Sequence, residues 1–223
     1  DGDEIIITPT LDFNGDILVS VIATDLAGET GEATFTVAVL SVNDAPVLST
    51  IDAQEINEDA VLTLDLSASD VDGDELSYSA SINDFGVVSI DGSTLTVVPD
   101  LDYSGDIEVT VVVSDGVLTD SGTFILDVLN LNDAPIVNQI ANETIFEDDT
   151  LTLTVSGSDV DDLDIITFSV SADQGATASV DGSTIIVTPL GDYNGDILVT
   201  ITATDQSDSF GSTDFTLFVL PVN

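Results

Sequence analysis

The sequence predicts an all-β protein built from tandem, seven-stranded antiparallel β-sandwiches. Apolar and polar residues alternate along short segments rich in Val, Ile, Thr and aromatics, which is typical of half-buried strands. The pattern also returns at a fixed interval, since 90 residues separate Asp12 from Asp102 and Asp102 from Asp192. About seven short strands in each such interval indicate an immunoglobulin-like sandwich.

The strands of one repeat follow each other with turn residues between them. Asp72-Gly73, Asp91-Gly92 and Asp115-Gly116 are turn-forming pairs that separate alternating segments. No segment carries a helical period of useful length, so we expect no long helix. The clearest predicted strands of this repeat, in chain order, are residues 61–66, 76–79, 94–98, 107–113 and 123–128.

Repeated motifs divide the chain into one partial and two complete repeats. The linker Asn43-Asp-Ala-Pro46 recurs as Asn132-Asp-Ala-Pro135. We predict that residues 1–44 form the C-terminal half of one repeat, and that residues 45–133 and 134–223 each form a complete one. The sequence is therefore expected to be a segment of a longer tandem array. The adjacent repeats of that array are its expected interaction partners.

The composition excludes several classes of function. The chain has 223 residues, of which 43 are Asp or Glu and none is Lys, Arg, His, Cys, Met or Trp, so its formal net charge is −43. Nucleic-acid binding is excluded because phosphate neutralisation needs Lys or Arg. The absence of a long apolar run argues against direct membrane insertion. A hydrophobic fraction of 43% argues against disorder, because disordered acidic chains are poor in apolar residues.

Acidic residues recur at fixed places in each repeat, in loops or at strand ends. They comprise a Glu before the first long strand, an Asp-x-Asp loop, an Asp before an aromatic-x-Gly-Asp turn, an Asp that ends the penultimate strand, and the Asn-Asp of the linker. Calcium takes six to eight oxygen ligands, and no single loop here offers enough. A calcium site would therefore be assembled from several loops. The acidic positions are Glu58 and Glu147; Asp70-Val-Asp72-Gly-Asp74 and Asp159-Val-Asp161-Asp-Leu-Asp164; Asp12, Asp102 and Asp192; Asp25, Asp115 and Asp205; and Asn43-Asp44 and Asn132-Asp133.

Acidic turn residues also occur without any ion, because Asp is a favoured turn former. That explanation suffices for a single Asp-Gly turn. It weakens when several acidic positions repeat in register in a chain that has no cation, because clustered carboxylates repel one another. We therefore predict Ca²⁺ as the bound cofactor.

The set of motifs resembles the cadherin-like tandem repeats of large bacterial surface proteins and adhesins. The resemblance is carried by Glu58, Asp70-x-Asp72, Leu101-Asp102, Val113-Ser-Asp115 and the linker Asn130-Leu-Asn-Asp-Ala-Pro135. In that family three calcium ions lie at each junction between successive domains. The resemblance thus implies calcium ligands at each linker, contributed by the repeats on both sides of it.

Carried over by position, the resemblance assigns ligands to three junctions. The sequence departs from the family pattern at Ser41 and Asn130, at Ala45 and Ala134, and at Asn14 and Ser104, so one or two ions per junction is an alternative to three. The implied ligands are Asp12, Asn43, Asp44, Asp70, Asp72 and Asp115 at the first junction; Glu58, Asp102, Asn132, Asp133, Asp159, Asp161 and Asp205 at the second; and Glu147 and Asp192 at a third.

These features predict a non-enzymatic, calcium-rigidified spacer in a secreted or cell-surface protein, such as an adhesin or an extracellular fibre. Three alternatives stay open. A carbohydrate- or protein-binding module would need exposed aromatics specific to one repeat, for which Phe85 and Phe210 are the candidates. A self-assembling filament would bring other copies of the chain together. A hydrolase with paired carboxylates is disfavoured, because an enzyme needs one site rather than a copy in each repeat.

Overall fold

A computed structural model describes residues 4–161 and 165–222, and these residues form strands and turns but no helix. The predicted all-β fold class is confirmed. Among the residues that the structure describes, no helix is long and apolar enough to cross a membrane. Asp164, the last acid of one predicted loop, lies outside the described residues.

The chain divides into two compact units. The first comprises the residues up to 101 together with 105–128, and the second comprises 102–104 together with the residues from 129 onward. The first unit holds a two-stranded hairpin and one complete repeat, and the second unit holds the next repeat. The strands are β1 (Gly15–Thr24), β2 (Thr30–Val39), β3 (Val47–Leu48), β4 (Gln54–Asn57), β5 (Leu62–Asp65), β6 (Ala68–Ser69), β7 (Ser77–Ile82), β8 (Gly86–Asp91), β9 (Thr94–Pro99), β10 (Gly105–Ser114), β11 (Thr119–Leu129), β12 (Ile136–Val137), β13 (Glu143–Phe146), β14 (Leu151–Thr154), β15 (Gly157–Ser158), β16 (Thr167–Ala172), β17 (Ala176–Asp181), β18 (Thr184–Pro189), β19 (Gly195–Thr204) and β20 (Phe210–Leu220).

The two main sheets of each complete repeat, one of four strands and one of three, hold the predicted seven strands, and a short additional pair brings the total to nine described strands. The sheets are β4-β11-β10-β7 and β5-β9-β8 in one repeat, and β13-β20-β19-β16 and β14-β18-β17 in the next. The short pair is β3-β6 in one repeat and β12-β15 in the next. The pairing of β13 with β20 departs from the antiparallel prediction, because these two strands run parallel. The long stretch of chain between these two strands supplies the crossover that a parallel pair requires.

The core of each sandwich follows from the alternation along its central strand. On β10, Ile107, Val109, Val111 and Val113 are fully buried, whereas the residues between them lie on the other face. The strand β19 repeats this arrangement with Ile197, Val199, Ile201 and Ala203. The period of two therefore points one face of each sheet into the core. The Asp-x-Asp loops lie outside this core, at the ends of strands.

The hairpin β1–β2 has the same register as its counterparts but lacks a buried core. Val19 pairs with Phe35 just as Val109 pairs with Phe124. Phe35 is 44% exposed, whereas Phe124 is 5% exposed, because no second sheet covers the described hairpin. An isolated two-stranded hairpin is marginally stable in water.

We therefore expect amide hydrogens of β1 and β2 to exchange with solvent much faster than those of β10, β11, β19 and β20. Strands that bury few apolar groups open locally at a small free-energy cost, whereas core strands open only on global unfolding. Hydrogen–deuterium exchange with mass spectrometry measures this difference. Equal protection of the hairpin and of β10–β11 would contradict it.

Candidate metal centre

The first acidic loop gathers three carboxylates at the end of β6. Asp70 Oδ1 accepts hydrogen bonds from the backbone N–H groups of Asp72 at 2.9 Å, Gly73 at 3.0 Å and Asp74 at 3.4 Å. One carboxylate oxygen from each of Asp70, Asp72 and Asp74 lies within 4.8 Å of the others. The loop closes through Gly73 at a φ of 80°, a conformation that glycine adopts without strain.

The second oxygen of the same carboxylate, Asp70 Oδ2, is buried and has no hydrogen-bond partner among the described residues. A buried polar atom without a partner is uncommon, because losing water without a replacement hydrogen bond is unfavourable. The chain has no Lys, Arg or His that could compensate it. Its chemistry fits a bound cation.

The linker closes over this loop. The backbone N–H of Asp44 donates to Asp72 Oδ2 at 2.8 Å, and Asn43 Nδ2 donates to Asp115 Oδ2 at 2.8 Å. Asp115 Oδ1 in turn accepts the backbone N–H groups of Val117 and Leu118, both at 2.6 Å. The linker, the Asp-x-Asp loop and the acid that ends β10 therefore meet within one unit.

The second unit repeats this network residue by residue. The backbone N–H of Asp133 donates to Asp161 Oδ2 at 2.8 Å, and Asn132 Nδ2 donates to Asp205 Oδ2 at 2.8 Å. Asp159 Oδ1 accepts the N–H of Asp161 at 3.0 Å, while Asp159 Oδ2 is buried without a partner among the described residues. Because the same carboxylate oxygen lacks a described partner in both repeats, the unpartnered oxygen is a recurring property of this loop.

The acid of the preceding repeat also reaches the first network. Asp12, Asn14, Asp44 and Asp72 line an open cleft of about 310 Å³, and a second cavity shares Asp12 and Asp44 and also contacts Asp70. Asp12 has a φ of 60°, and its counterparts Asp102 and Asp192 have 56° and 59°. Besides glycine, Asp and Asn are the residues that most readily adopt this left-handed conformation at an isolated position.

The remaining predicted ligands lie in different places. Asp102 belongs to the short segment 102–104 that groups with the second unit. Glu58 is buried, and Glu147 Oε1 accepts the backbone N–H of Val222 at 2.8 Å. Their role as calcium ligands stays a prediction, as does that of Asp192.

The geometry adds residues that the sequence motifs did not single out as ligands. Asn130 Nδ2 donates to Asp161 Oδ1 at 2.5 Å, so the residue that replaces a family Asp still engages the loop. Ser209 Oγ accepts from Asn132 Nδ2 at 3.0 Å. Asp74 completes the acidic cluster. Asp74 and Asn130 had a sequence signal, since Asp74 continues the Asp-x-Asp pattern and Asn130 begins the linker motif, whereas Ser209 looks like an ordinary turn residue.

Hydrogen bonds hold two of these carboxylates in the ionised form. The pKa of Asp115 lies below its ordinary value of 3.8, first because Asn43 donates to it and then because Leu118 and Val117 do. Burial raises the pKa of Asp205, but hydrogen bonds from Asn132, Ser209 and Ser207 outweigh this and leave the pKa lowered.

Replacing Asn43 with Ala is therefore expected to raise the pKa of Asp115 in the calcium-free chain. A lowered folded-state pKa means that the ionised carboxylate stabilises the fold above pH 3.8, and that this contribution is lost as the pH falls through the folded value. Carboxyl ¹³C NMR titration of the wild type and of N43A measures the shift. An unchanged pKa for Asp115, with Asp205 as the internal control, would contradict the role given to Asn43.

Comparison with known proteins gives a family and a fold. The sequence pattern of the bacterial Ig domain matches residues 43–127 and again residues 132–217. No protein of curated function matches the sequence.

Two similar solved structures are human CDH23 EC21-23 and human Protocadherin-24 EC1-2. The first has a TM-score of 0.55 and 18% identity over 91% of this chain and 74% of that one. The second has a TM-score of 0.51 and 19% identity over 81% of this chain and 100% of that one. At these identities the likeness concerns the fold.

An endo-fucoidan hydrolase of glycoside hydrolase family 107 also matches, at 17% identity over 97% of this chain. This chain spans 35% of that protein's length, and the TM-score is 0.39, so the match supports no functional conclusion.

Proposed function

The chain belongs to the bacterial Ig domain family, with two tandem copies, and from this premise we propose that it is a calcium-rigidified spacer of an extracellular protein. Tandem immunoglobulin- and cadherin-like domains are consistent with a structural or adhesive repeat. The observation that carries the calcium part of the proposal is the orphaned buried oxygen of Asp70, repeated at Asp159.

The donor set suits calcium better than other biological metals. The potential metal ligands that the side chains of the two networks offer are carboxylate, amide and hydroxyl oxygens, which are the ligands that Ca²⁺ prefers. The chain has no Cys or His, the ligands that favour zinc or copper. We propose that the ligand positions predicted from the sequence on both sides of each linker, Glu58 and Asp102 included, contribute to this ligation.

The proposed mechanism is mechanical. The linker is short, and Pro46 and Pro135 favour extended conformations of the alanines before them. A cation held by linker and loop residues together would fix the linker relative to the repeat that follows it. The acids that recur in each repeat support this role over catalysis, because a spacer needs one such device at each linker.

Calcium uptake tests the proposal most simply. Isothermal titration of the chelator-stripped chain is expected to show calcium binding in the range of about 10⁻⁴–10⁻³ M that is typical of extracellular modules. Magnesium is the matched control, because its smaller octahedral shell fits a flexible multi-carboxylate site poorly. Asp133→Ala should reduce uptake at one linker only, since each has its own ligands. No calcium uptake at millimolar concentrations would refute the proposal.

A further inference from the structure

One repeat carries an exposed apolar row at positions that are not hydrophobic in the other. On the outer face of the sheet β5-β9-β8, Val87 pairs with Val98 across β8 and β9, and Val61 immediately precedes β5, beside β9. Val61 is 52% exposed, Val87 is 64% exposed and Val98 is 38% exposed. Phe85 is 44% exposed and lies next to this row. Its carbonyl accepts the backbone N–H of Asp100, which directly follows β9, at 2.9 Å. We call these four residues the valine–phenylalanine patch.

The corresponding positions in the next repeat are all non-hydrophobic. Thr150, Thr177 and Thr188 replace the three valines, and Gly175 replaces Phe85. The hydroxyls of Thr150 and Thr188 lie 3.4 Å apart, and Thr177 Oγ1 donates to the Thr188 carbonyl at 3.4 Å. The two sandwiches share their fold and their core pattern, so folding does not require the patch.

Phe85 adds an independent signal. Its φ is 65°, a left-handed conformation that is strained for a bulky side chain. Gly175 occupies the same place in the next repeat without that strain, at a φ of 122°. Strained residues of this kind persist where the surroundings enforce them and tend to mark functional positions. Here the strained residue is an exposed aromatic that lies two positions before Val87 in the sequence and accepts the backbone N–H of Asp100.

The acidic residues around the patch indicate which kind of partner it fits. Asp84 precedes Phe85 in the sequence and accepts its backbone N–H through Oδ1, and the backbone N–H of Asp100 donates to the Phe85 carbonyl. Asp59 lies two residues before Val61. The chain has no cation, so a second copy would bring like charges together around the contact. We propose that the valine–phenylalanine patch is a docking site for a partner protein segment with an apolar centre flanked by Lys or Arg. Apolar patches with polar rims commonly serve as interaction sites.

Binding of two synthetic peptides to the calcium-saturated chain tests this docking site. One peptide alternates Val and Lys, and the other alternates Ser and Lys, so they share charge but not apolar content. Fluorescence anisotropy at about 0.15 M salt, where long-range attraction is screened, is expected to show binding of the Val–Lys peptide and markedly weaker binding of the Ser–Lys peptide. Equal affinities would overturn the proposal, because charge alone would then account for binding.

Variants that exchange the two repeats' surfaces locate the site. V61T/F85G/V87T/V98T takes its residues from the next repeat, so it should fold, and it is expected to weaken Val–Lys peptide binding by at least about tenfold, a loss of about 1.4 kcal/mol. T150V/T177V/T188V should create a second, weaker peptide site. Gly175 is kept, because a Cβ there would lie 2.5 Å from the Tyr193 ring.

Two results would overturn the assignment. Unchanged affinity in the quadruple variant, with a circular dichroism spectrum like that of the wild type, would place peptide binding elsewhere. Sedimentation of the wild-type chain as a dimer that the quadruple variant does not form would make a second copy the occupant. Peptide binding and oligomeric state are measured separately from calcium uptake, so the docking proposal and the proposed spacer function can fail independently.

Discussion

Saturating calcium is expected to raise the free energy of unfolding of the complete repeats by several kcal/mol over the chelated chain. One ion at about 100 times its dissociation constant contributes about 2.7 kcal/mol, provided that it binds only the folded state. The gain comes from neutralising buried carboxylate oxygens such as Asp70 Oδ2 and Asp159 Oδ2, which otherwise have no partner among the described residues. Denaturant unfolding with calcium and with chelator measures the difference.

Sodium chloride at matched ionic strength separates site binding from general screening. A chain of net charge −43 is stabilised by any salt that weakens its self-repulsion. Three ions at each of two linkers would change the net charge from −43 to −31, so substantial repulsion remains for sodium chloride to screen. If sodium chloride reproduced the whole gain, specific calcium sites would not be needed.

Asp159→Asn is expected to have opposite effects with and without calcium. In the chelated chain the variant should be as stable as the wild type or more stable, because it removes the charge of a carboxylate whose buried Oδ2 has no partner among the described residues. With calcium it should forfeit about 2.7 kcal/mol of the calcium-induced gain, because a neutral amide is a poorer ligand than a carboxylate. Denaturant unfolding of both chains in both conditions gives the four free energies.

Asp181→Asn is the matched control for this variant. It makes the same charge change at an exposed residue that ends β17, outside both the acidic loop and the linker, so it should keep the full calcium response. Destabilisation of D159N in chelator would contradict the account, because it would show that the Asp159 carboxylate stabilises the loop without any ion.

The sequence was sufficient to predict the sandwiches because their cores depend on local alternation. Ile107 and its neighbours at every second position on β10 are fully buried, as a period of two requires. The parallel pairing of β13 with β20 was not predictable in this way. Alternation fixes which face of a strand is buried, but it does not fix which distant strand lies beside it.

The candidate site was predictable to the extent that it depends on repetition. Asp72 and Asp115 recur in register, and both contact the linker in the structure. The orphaned oxygen of Asp70 could not be predicted, because it depends on which carboxylate oxygen the turn amides of Asp72 and Gly73 take up. The role of Ser209 likewise depends on a contact between residues 77 positions apart.

Small-angle X-ray scattering of the whole chain with calcium and with chelator tests whether calcium stiffens the linkers. If it does, the chain in calcium is expected to scatter as an extended particle with a narrow distribution of interatomic distances. In chelator a broader distribution is expected, because the linker acids repel one another, while the far-UV circular dichroism spectrum stays the same because the sandwich cores persist. Identical scattering in the two conditions, with calcium uptake confirmed, would contradict the account, since Pro46, Pro135 and direct packing would then set the geometry without any ion.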